Sequence, residues 1–214
     1  MTELRALTPE DLVGTLRAAG IHDERLLDAF RRVPRAAFVP PESRHRAYED
    51  LPVPIAHSQV TTQPSLLALM VQALELRGDE RVLEIGTGLG FQAAILARLC
   101  RAVVSIEWFA DLGEQAQKNL EAGGISNVTV VVNDGSLGLP ERAPYQGIVV
   151  AAAAPEVSQA LVAQLAEGGR LVQPLGTGGN ERVAAFVKHA GRLVERATLG
   201  GAHFVPLRGA FGIR

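Results

Sequence analysis

Three glycines at alternate positions, Gly86, Gly88 and Gly90, enclose Thr87 and follow Glu84 by two residues; no other stretch is so well suited to holding a ligand. With no Cβ in the way, backbone N–H groups of such a turn approach an anion closely, and a helix opening at Phe91 adds its positive end. The turn therefore suits a carboxylate or phosphate, and a neighbouring carboxylate suits an ammonium. A dinucleotide fingerprint would put its third glycine at position 91, where this chain has Phe, so the spacing disfavours NAD. Glu107 follows 17 residues after Gly90, where a carboxylate meets a ribose diol in nucleotide-binding α/β units. Trp108 and Phe109 then either flank an adenine or are core aromatics. Asp134 and Gly135 form a turn that can accept from an exocyclic amine, and the small side chains from Ala151 to Ala154 leave room for a ligand.

A second concentration of polar groups lies upstream. Residues 38–64 show little periodicity, and six prolines (Pro34, Pro40, Pro41, Pro52, Pro54, Pro64) fall in or just before them. A long ordered stretch of this kind is usually functional or a linker. Because it leads directly into the glycine-turn unit, we read it as a substrate-side loop. Its end carries Ser58, Gln59, Thr61, Thr62 and Gln63. Thr62 and Gln59 either orient a substrate or, with Gln63, only start the helix that opens at Pro64. The five histidines are scattered, so no metal site is expected.

These groups need elements to place them. At 47% hydrophobic and 21% charged, the 214 residues suffice for a sizeable core and argue against disorder. Twenty-one basic residues against 23 acidic ones, with no basic block, point to neither a nucleic-acid nor a membrane-surface partner. Arg31, Arg32 and Arg35 read as a solvated face rather than an anion site. One cysteine, Cys100, excludes an internal disulfide and suits a reducing cytosol. Residues 1–5 lack a signal peptide's apolar segment, no apolar run approaches a membrane span, and a soluble cytoplasmic protein is expected.

Thr8 and Asp23 start two helices with apolar stripes at Leu12, Val13, Leu16 and at Leu26, Leu27, Phe30; these helices precede the sheet and cover it. Buried strands are expected at 81–85, 102–106, 128–132, 147–150 and 170–175, with helices between them and closing antiparallel strands at 182–188 and 203–207. Strands and helices alternating in this way predict an α/β fold with a doubly wound, mainly parallel sheet. In such sheets ligands lie beyond the carboxyl ends of the strands, where the glycine turn, Glu107, Asp134 and Ala151 all fall. Residues 1–64 are expected to pack as helices and loop on a core of 65–214, in one globular unit.

An acid ending a strand, followed by G-x-G-x-G, resembles the first motif of the class I S-adenosylmethionine methyltransferases. Further marks run in order: 23–25, 33–40, 47–50, Gln63-Pro64, 82–94, 134–138, 152–155 and 204–207. Together they resemble the protein-L-isoaspartate (D-aspartate) O-methyltransferases over roughly residues 12–207. The resemblance implies a cytosolic enzyme that methylates the α-carboxylate of isoaspartyl residues in damaged proteins and peptides, with S-adenosylhomocysteine as the other product; a monomer is expected. It implies cofactor contacts from Glu84, Gly86, Thr87, Gly88, Gly90, Glu107, Trp108, Asp134, Gly135 and Ala151, and places Thr62 at the family's substrate-facing serine. Departures cluster on the loop: Ala56 and Ser58 replace glycines, Val60 and Thr61 replace Thr and Ile, and Asn133 replaces the glycine before Asp134. They leave open a relative that modifies a dedicated peptide, which a precursor-peptide gene nearby would favour, or a cofactor-binding module without catalysis.

Overall fold

The computed structural model describes residues 7–177 and 179–213, so the reading of residues 1–5 lies outside the described residues. Helix α1 (Pro9–Ala18) starts as its residue types require: the Thr8 hydroxyl accepts from Asp11 N, Asp11 Oδ2 accepts from Thr8 N, and Pro9 fills the first position. Asp23 caps α2 (Glu24–Arg32) by accepting from Arg25 N and Leu26 N. Two 3₁₀ turns (Arg35–Phe38 and Pro41–Arg46) lead to a small hairpin of β1 (Val53–Pro54) and β2 (Val60–Thr61), and then to α3 (Pro64–Gln72).

The alternating part follows: β3 (Arg81–Ile85), α4 (Phe91–Ala97), β4 (Ala102–Glu107), α5 (Ala110–Ala122), β5 (Val128–Val132), β6 (Tyr145–Val150), α6 (Gln159–Gln164) and β7 (Leu165–Leu175). Two further strands, β8 (Glu181–His189) and β9 (Arg192–Ala202), close the sheet, whose order is β5-β4-β3-β6-β7-β8-β9. Strands β3 to β7 run parallel, while β8 and β9 are antiparallel additions. The doubly wound α/β reading holds. The central strands are apolar runs because both faces are covered: Val82 and Val103 pack with α1 to α4 on one side, and Leu83, Ile85, Ile106 and Ile148 pack with α6 on the other. Leu12, Leu16, Leu26, Leu27 and Phe30 belong to the first of these clusters, so the N-terminal helices do cover the sheet. Each such fully buried side chain contributes about 1.5–3 kcal/mol.

Two expectations need correction. Residues 203–207 are not a closing strand; they run irregularly past the sheet, with a single bridge from Pro206 to Ala153. The closing partner of β8 is β9, an edge strand whose side chains are mostly exposed and which therefore lacks the alternation that marks a half-buried strand. Strand β7 also starts earlier than the Gly168-Gly169 pair suggests. Leu165 already pairs with Tyr145, and the glycines sit in a register shift before Arg170.

Candidate active site

After β5 the chain crosses to the far side of β3, so β4 and β6 leave β3 in opposite directions and a crevice opens over their carboxyl ends. One wall is the turn from Gly86 to Gly90. Gly86 and Gly88 have φ of 93° and 57°, and a Cβ on Gly88 would project toward the Ile55 side chain, 3.7 Å away across the crevice. Gly86, Thr87, Gly88, Glu107, Trp108, Gly135 and Ala151 line the crevice, and so do Gln59 and Thr62 from the opposite side. The structure therefore brings nine of the twelve expected residues together.

Glu84, Gly90 and Asp134 do not line it. Glu84 is fully buried behind the turn, where its Oε2 accepts from the Ser105 hydroxyl, which in turn lies 2.6 Å from the Thr87 hydroxyl. Burial pushes its carboxyl up to about 8, against the opposing effect of the Ser105 bond. Its contact with the turn runs through Ser105 to Thr87, and its Oε1 makes no hydrogen bond among the described residues. Gly90 is needed for packing: its φ is 94°, and a Cβ there would meet Ala116 of α5 at 3.4 Å. The Asp134 carboxylate is engaged by the C-terminal segment, accepting from Ala210 N at 2.8 Å through Oδ2 and from Ser136 N and Oγ through Oδ1. A carboxylate offers about four acceptor sites, so one remains beside Gly135.

Glu107 is buried and accepts from Gly88 N at 2.8 Å, Trp108 N at 3.0 Å and Phe109 N at 3.1 Å. It ties the glycine turn to the start of α5. Trp108 is 46% exposed at the crevice rim. Phe109 stacks on His57 at 4.1 Å with the rings parallel, and the Arg208 guanidinium sits over the same ring at 5.2 Å. His57 Nε2 lies 2.8 Å from Asp111 Oδ1, and this partner holds the Asp111 carboxyl below its ordinary value.

The substrate-side loop is fixed by side chains rather than by regular pairing. Arg35, read from the sequence as part of a solvated face, is instead buried at 1% exposure. Arg31 and Arg32 do lie at the surface, paired with Glu10 and Asp28. Arg35 Nη1 donates to the carbonyls of Ala47 and Glu49, and Nη2 to the carbonyl of Leu51 and the hydroxyl of Thr61. Burial lowers its guanidinium to about 10, which leaves it charged at neutral pH. Helix α3 starts on a borrowed cap: Gln63 makes no capping bond, and Asp50 Oδ1 accepts from Ser65 N at 2.8 Å. His57 and Ser58 both have left-handed backbones, φ 58° and 56°, which accounts for the glycine usual at position 58 in the resembling family.

Sequence reasoning also missed Gln92. It lines the crevice from the first turn of α4, 6% exposed; among the described residues its amide makes no hydrogen bond of good geometry, though it lies near enough to the buried Glu84 carboxyl to help lower it. Its signal was its place two residues after the glycine turn, within an otherwise apolar helix. Among the described residues no group of three or more His, Cys, Asp or Glu is arranged to hold a metal, and no helix is long and apolar enough to cross a membrane.

A mainly parallel sheet with an acid-then-glycine turn at the head of its crevice defines a class I S-adenosylmethionine-dependent methyltransferase. Residues 7–211 match the family described as Protein-L-isoaspartate(D-aspartate) O-methyltransferase, and the chain belongs to that family. The protein-L-isoaspartate O-methyltransferase of Methanoculleus marisnigri is 50% identical over 197 residues, 92% of this chain and 89% of that protein. Protein-L-isoaspartate O-methyltransferase 2 of Marinobacter nauticus is 51% identical over 194 residues, 90% of this chain and 89% of its own. A solved protein-L-isoaspartate O-methyltransferase superposes with a TM-score of 0.84 at 32% identity, covering 96% of this chain and 67% of that one. This chain is accordingly an enzyme that draws its methyl group from S-adenosylmethionine.

Proposed function

We propose that the protein methylates the α-carboxylate of L-isoaspartyl and D-aspartyl residues in damaged proteins and peptides, and that the ester then closes to a succinimide unaided. The observation that carries this reading is the pairing of two unlike walls: a glycine turn with Glu107 on one side, and a loop bearing neutral donors, Thr62 and Gln59, on the other.

The cofactor fits the first wall. Gly86 and Gly88 leave space that side chains would fill, and Gln92 offers a buried amide that makes no well-aligned hydrogen bond among the described residues. Glu107 would hold the ribose, Asp134 and Gly135 the adenine edge, Trp108 its face, and the N–H groups after Gly86 the methionine carboxylate. When bound, the cofactor supplies an electrophilic methyl group on a sulfonium sulfur.

The second wall does the rest. A carboxylate nucleophile with a reference pKa of about 4 is already ionised at neutral pH, so no general base is required. The described lining contains one carboxylate, Glu107, and that is committed to three backbone N–H groups. Thr62 orients the substrate carboxylate by donating its hydroxyl, and the Gln59 amide assists. Ile55 and Val60 strip water from the nucleophile, while neutral donors leave it more reactive than a tight cationic partner would. Residues 1–64 serve as the substrate-facing part of one globular unit. The enzyme works as a cytoplasmic monomer, without nucleic acid or membrane.

Methyl transfer to matched isoaspartyl and aspartyl peptides tests the reading. The isoaspartyl peptide is expected to be the substrate, and equal transfer to both would sink the assignment. Thr62→Ser should keep most turnover, whereas Thr62→Val should lose about 1.5–3 kcal/mol of transition-state stabilisation, roughly ten- to a hundredfold in rate. Full activity in the valine variant would remove Thr62 from the mechanism.

A further inference from the structure

Thr62 is the one residue between two anchored neighbours. On its N-terminal side, the Thr61 hydroxyl oxygen accepts from Arg35 Nη2 at 3.1 Å and from Val53 N at 3.0 Å. On its C-terminal side, Gln63 Nε2 donates to Asp50 Oδ2 at 2.9 Å, and the other oxygen of Asp50 caps α3 through Ser65 N. The two anchors are themselves joined. Arg35 holds the carbonyls of Glu49 and Leu51, the residues on either side of Asp50. One buried guanidinium thus reaches both ends of the bracket.

The arrangement is costly unless it serves a purpose. Arg35 is buried without a carboxylate in contact, and its Nε has no partner among the described residues. Burying the guanidinium there carries a desolvation cost, which its hydrogen bonds to the carbonyls of an irregular loop must offset. The guanidinium also lies over the ring of Phe91 at 5.9 Å, and Phe91 is the first residue of α4, directly after the glycine turn. Arg35 therefore fixes the substrate loop against the element that shapes the cofactor wall.

We propose that Arg35 is a positioning residue for methyl transfer: through Thr61 it sets the backbone on which Thr62 presents its hydroxyl to the substrate carboxylate. This rests on the role given to Thr62 above. Thr61 borders the crevice beside Val60 and Thr62, but its hydroxyl is turned to Arg35 Nη2 and Val53 N, so what Arg35 fixes through it is the backbone that carries Thr62. A threonine at position 61 is what lets the bracket close, because its hydroxyl is the only side-chain group in residues 59–62 that Arg35 holds. The family's usual isoleucine there would leave that donor of Arg35 with Leu51 O alone.

The test compares Thr61→Val, Thr61→Ser, Arg35→Lys and the Arg35→Lys/Thr61→Val pair with Thr62→Val, on an isoaspartyl peptide well below each melting temperature. Thr61→Val is expected to lower kcat about tenfold, as a small misplacement of an orienting group does, with the Kd for S-adenosylhomocysteine changed less than twofold. Thr61→Ser should restore turnover. Arg35→Lys should also lower kcat, and the double variant should be no slower than Arg35→Lys, because the two residues act through one contact. Full kcat in Thr61→Val, or losses that multiply in the double variant, would overturn the proposal; the Thr61 variants decide it even where Arg35→Lys does not fold. A slow Thr62→Val beside a fully active Thr61→Val rejects the positioning role alone. A fully active Thr62→Val rejects the reading on which it rests.

Discussion

The two walls of the crevice are built by different physics. The cofactor wall hangs from the ends of β3, β4 and β6, and its turn is an extension of the ladder: Gly86 N donates to Ile106 O and Ala151 N to Ile85 O, each at 2.8 Å. The substrate wall has only the two-residue pairing of β1 with β2, and side chains supply what backbone pairing does not. Arg35 and Asp50 between them bind six groups of the segment from Ala47 to Ser65. A wall made of sheet ends is rigid wherever the sheet is. A wall held mainly by a few side chains is only as rigid as those contacts, and it can be re-cut by a single substitution.

That contrast can be broken most sharply at Arg35. Arg35→Met removes the charge and takes the donor from the carbonyls of Ala47, Glu49 and Leu51, while Thr61 keeps Val53 N, so unfolding should become easier by about 2–4 kcal/mol, read from denaturant titration. A loss under about 1 kcal/mol would mean that the loop is held by something else. On the opposite wall, Glu107→Ala should leave the sheet intact and weaken S-adenosylhomocysteine binding by roughly 1–3 kcal/mol, measured calorimetrically. If thermal stability fell while affinity stayed constant, Glu107 would be a tie for the glycine turn and nothing more.

The contrast is sharpened by pH. Glu84 has a folded value of about 8, above its ordinary 4.5, so the folded state holds a proton that the unfolded chain releases. Its contribution to stability is present below about pH 4.5 and is lost as pH rises toward 8. Melting temperature should accordingly fall over that range, and Glu84→Gln should flatten the fall. An unchanged profile would show that Glu84 is not the group responsible. The smallest effect is expected at the rim: Arg208→Ala gives up an exposed contact with Phe109 worth about 0.5–1 kcal/mol, seen as a slight loss of affinity or stability.

The same contrast decides what could be read from the residues. Strands β3 to β6, the helix starts at Thr8 and Asp23, and the placing of Gly86, Gly88 and Glu107 were all legible, because burial on regular elements writes a period into the chain and caps have few residue choices. Strand β9 was not legible, since an exposed edge has no apolar alternation to show. Nor was the real use of Arg35. An arginine serving four acceptors at positions 47, 49, 51 and 61 leaves no local pattern, and beside Arg31 and Arg32 it looks like one more surface charge. Asp134 was found, but the contact from Ala210, 76 residues away, was invisible from its own turn.

Trp108 has one more consequence. It is the chain's single tryptophan, and it stands half-exposed at the rim of the crevice, not in the core. Indole emission depends on how wet the ring is, so all of this protein's indole signal comes from one spot beside the proposed adenine position. Occupancy can therefore be followed optically in unlabelled protein, free of background from other indoles, as quenching or a blue shift when the ring is covered. Trp108→Phe gives the dark control, and rapid mixing turns the same signal into association and release rates.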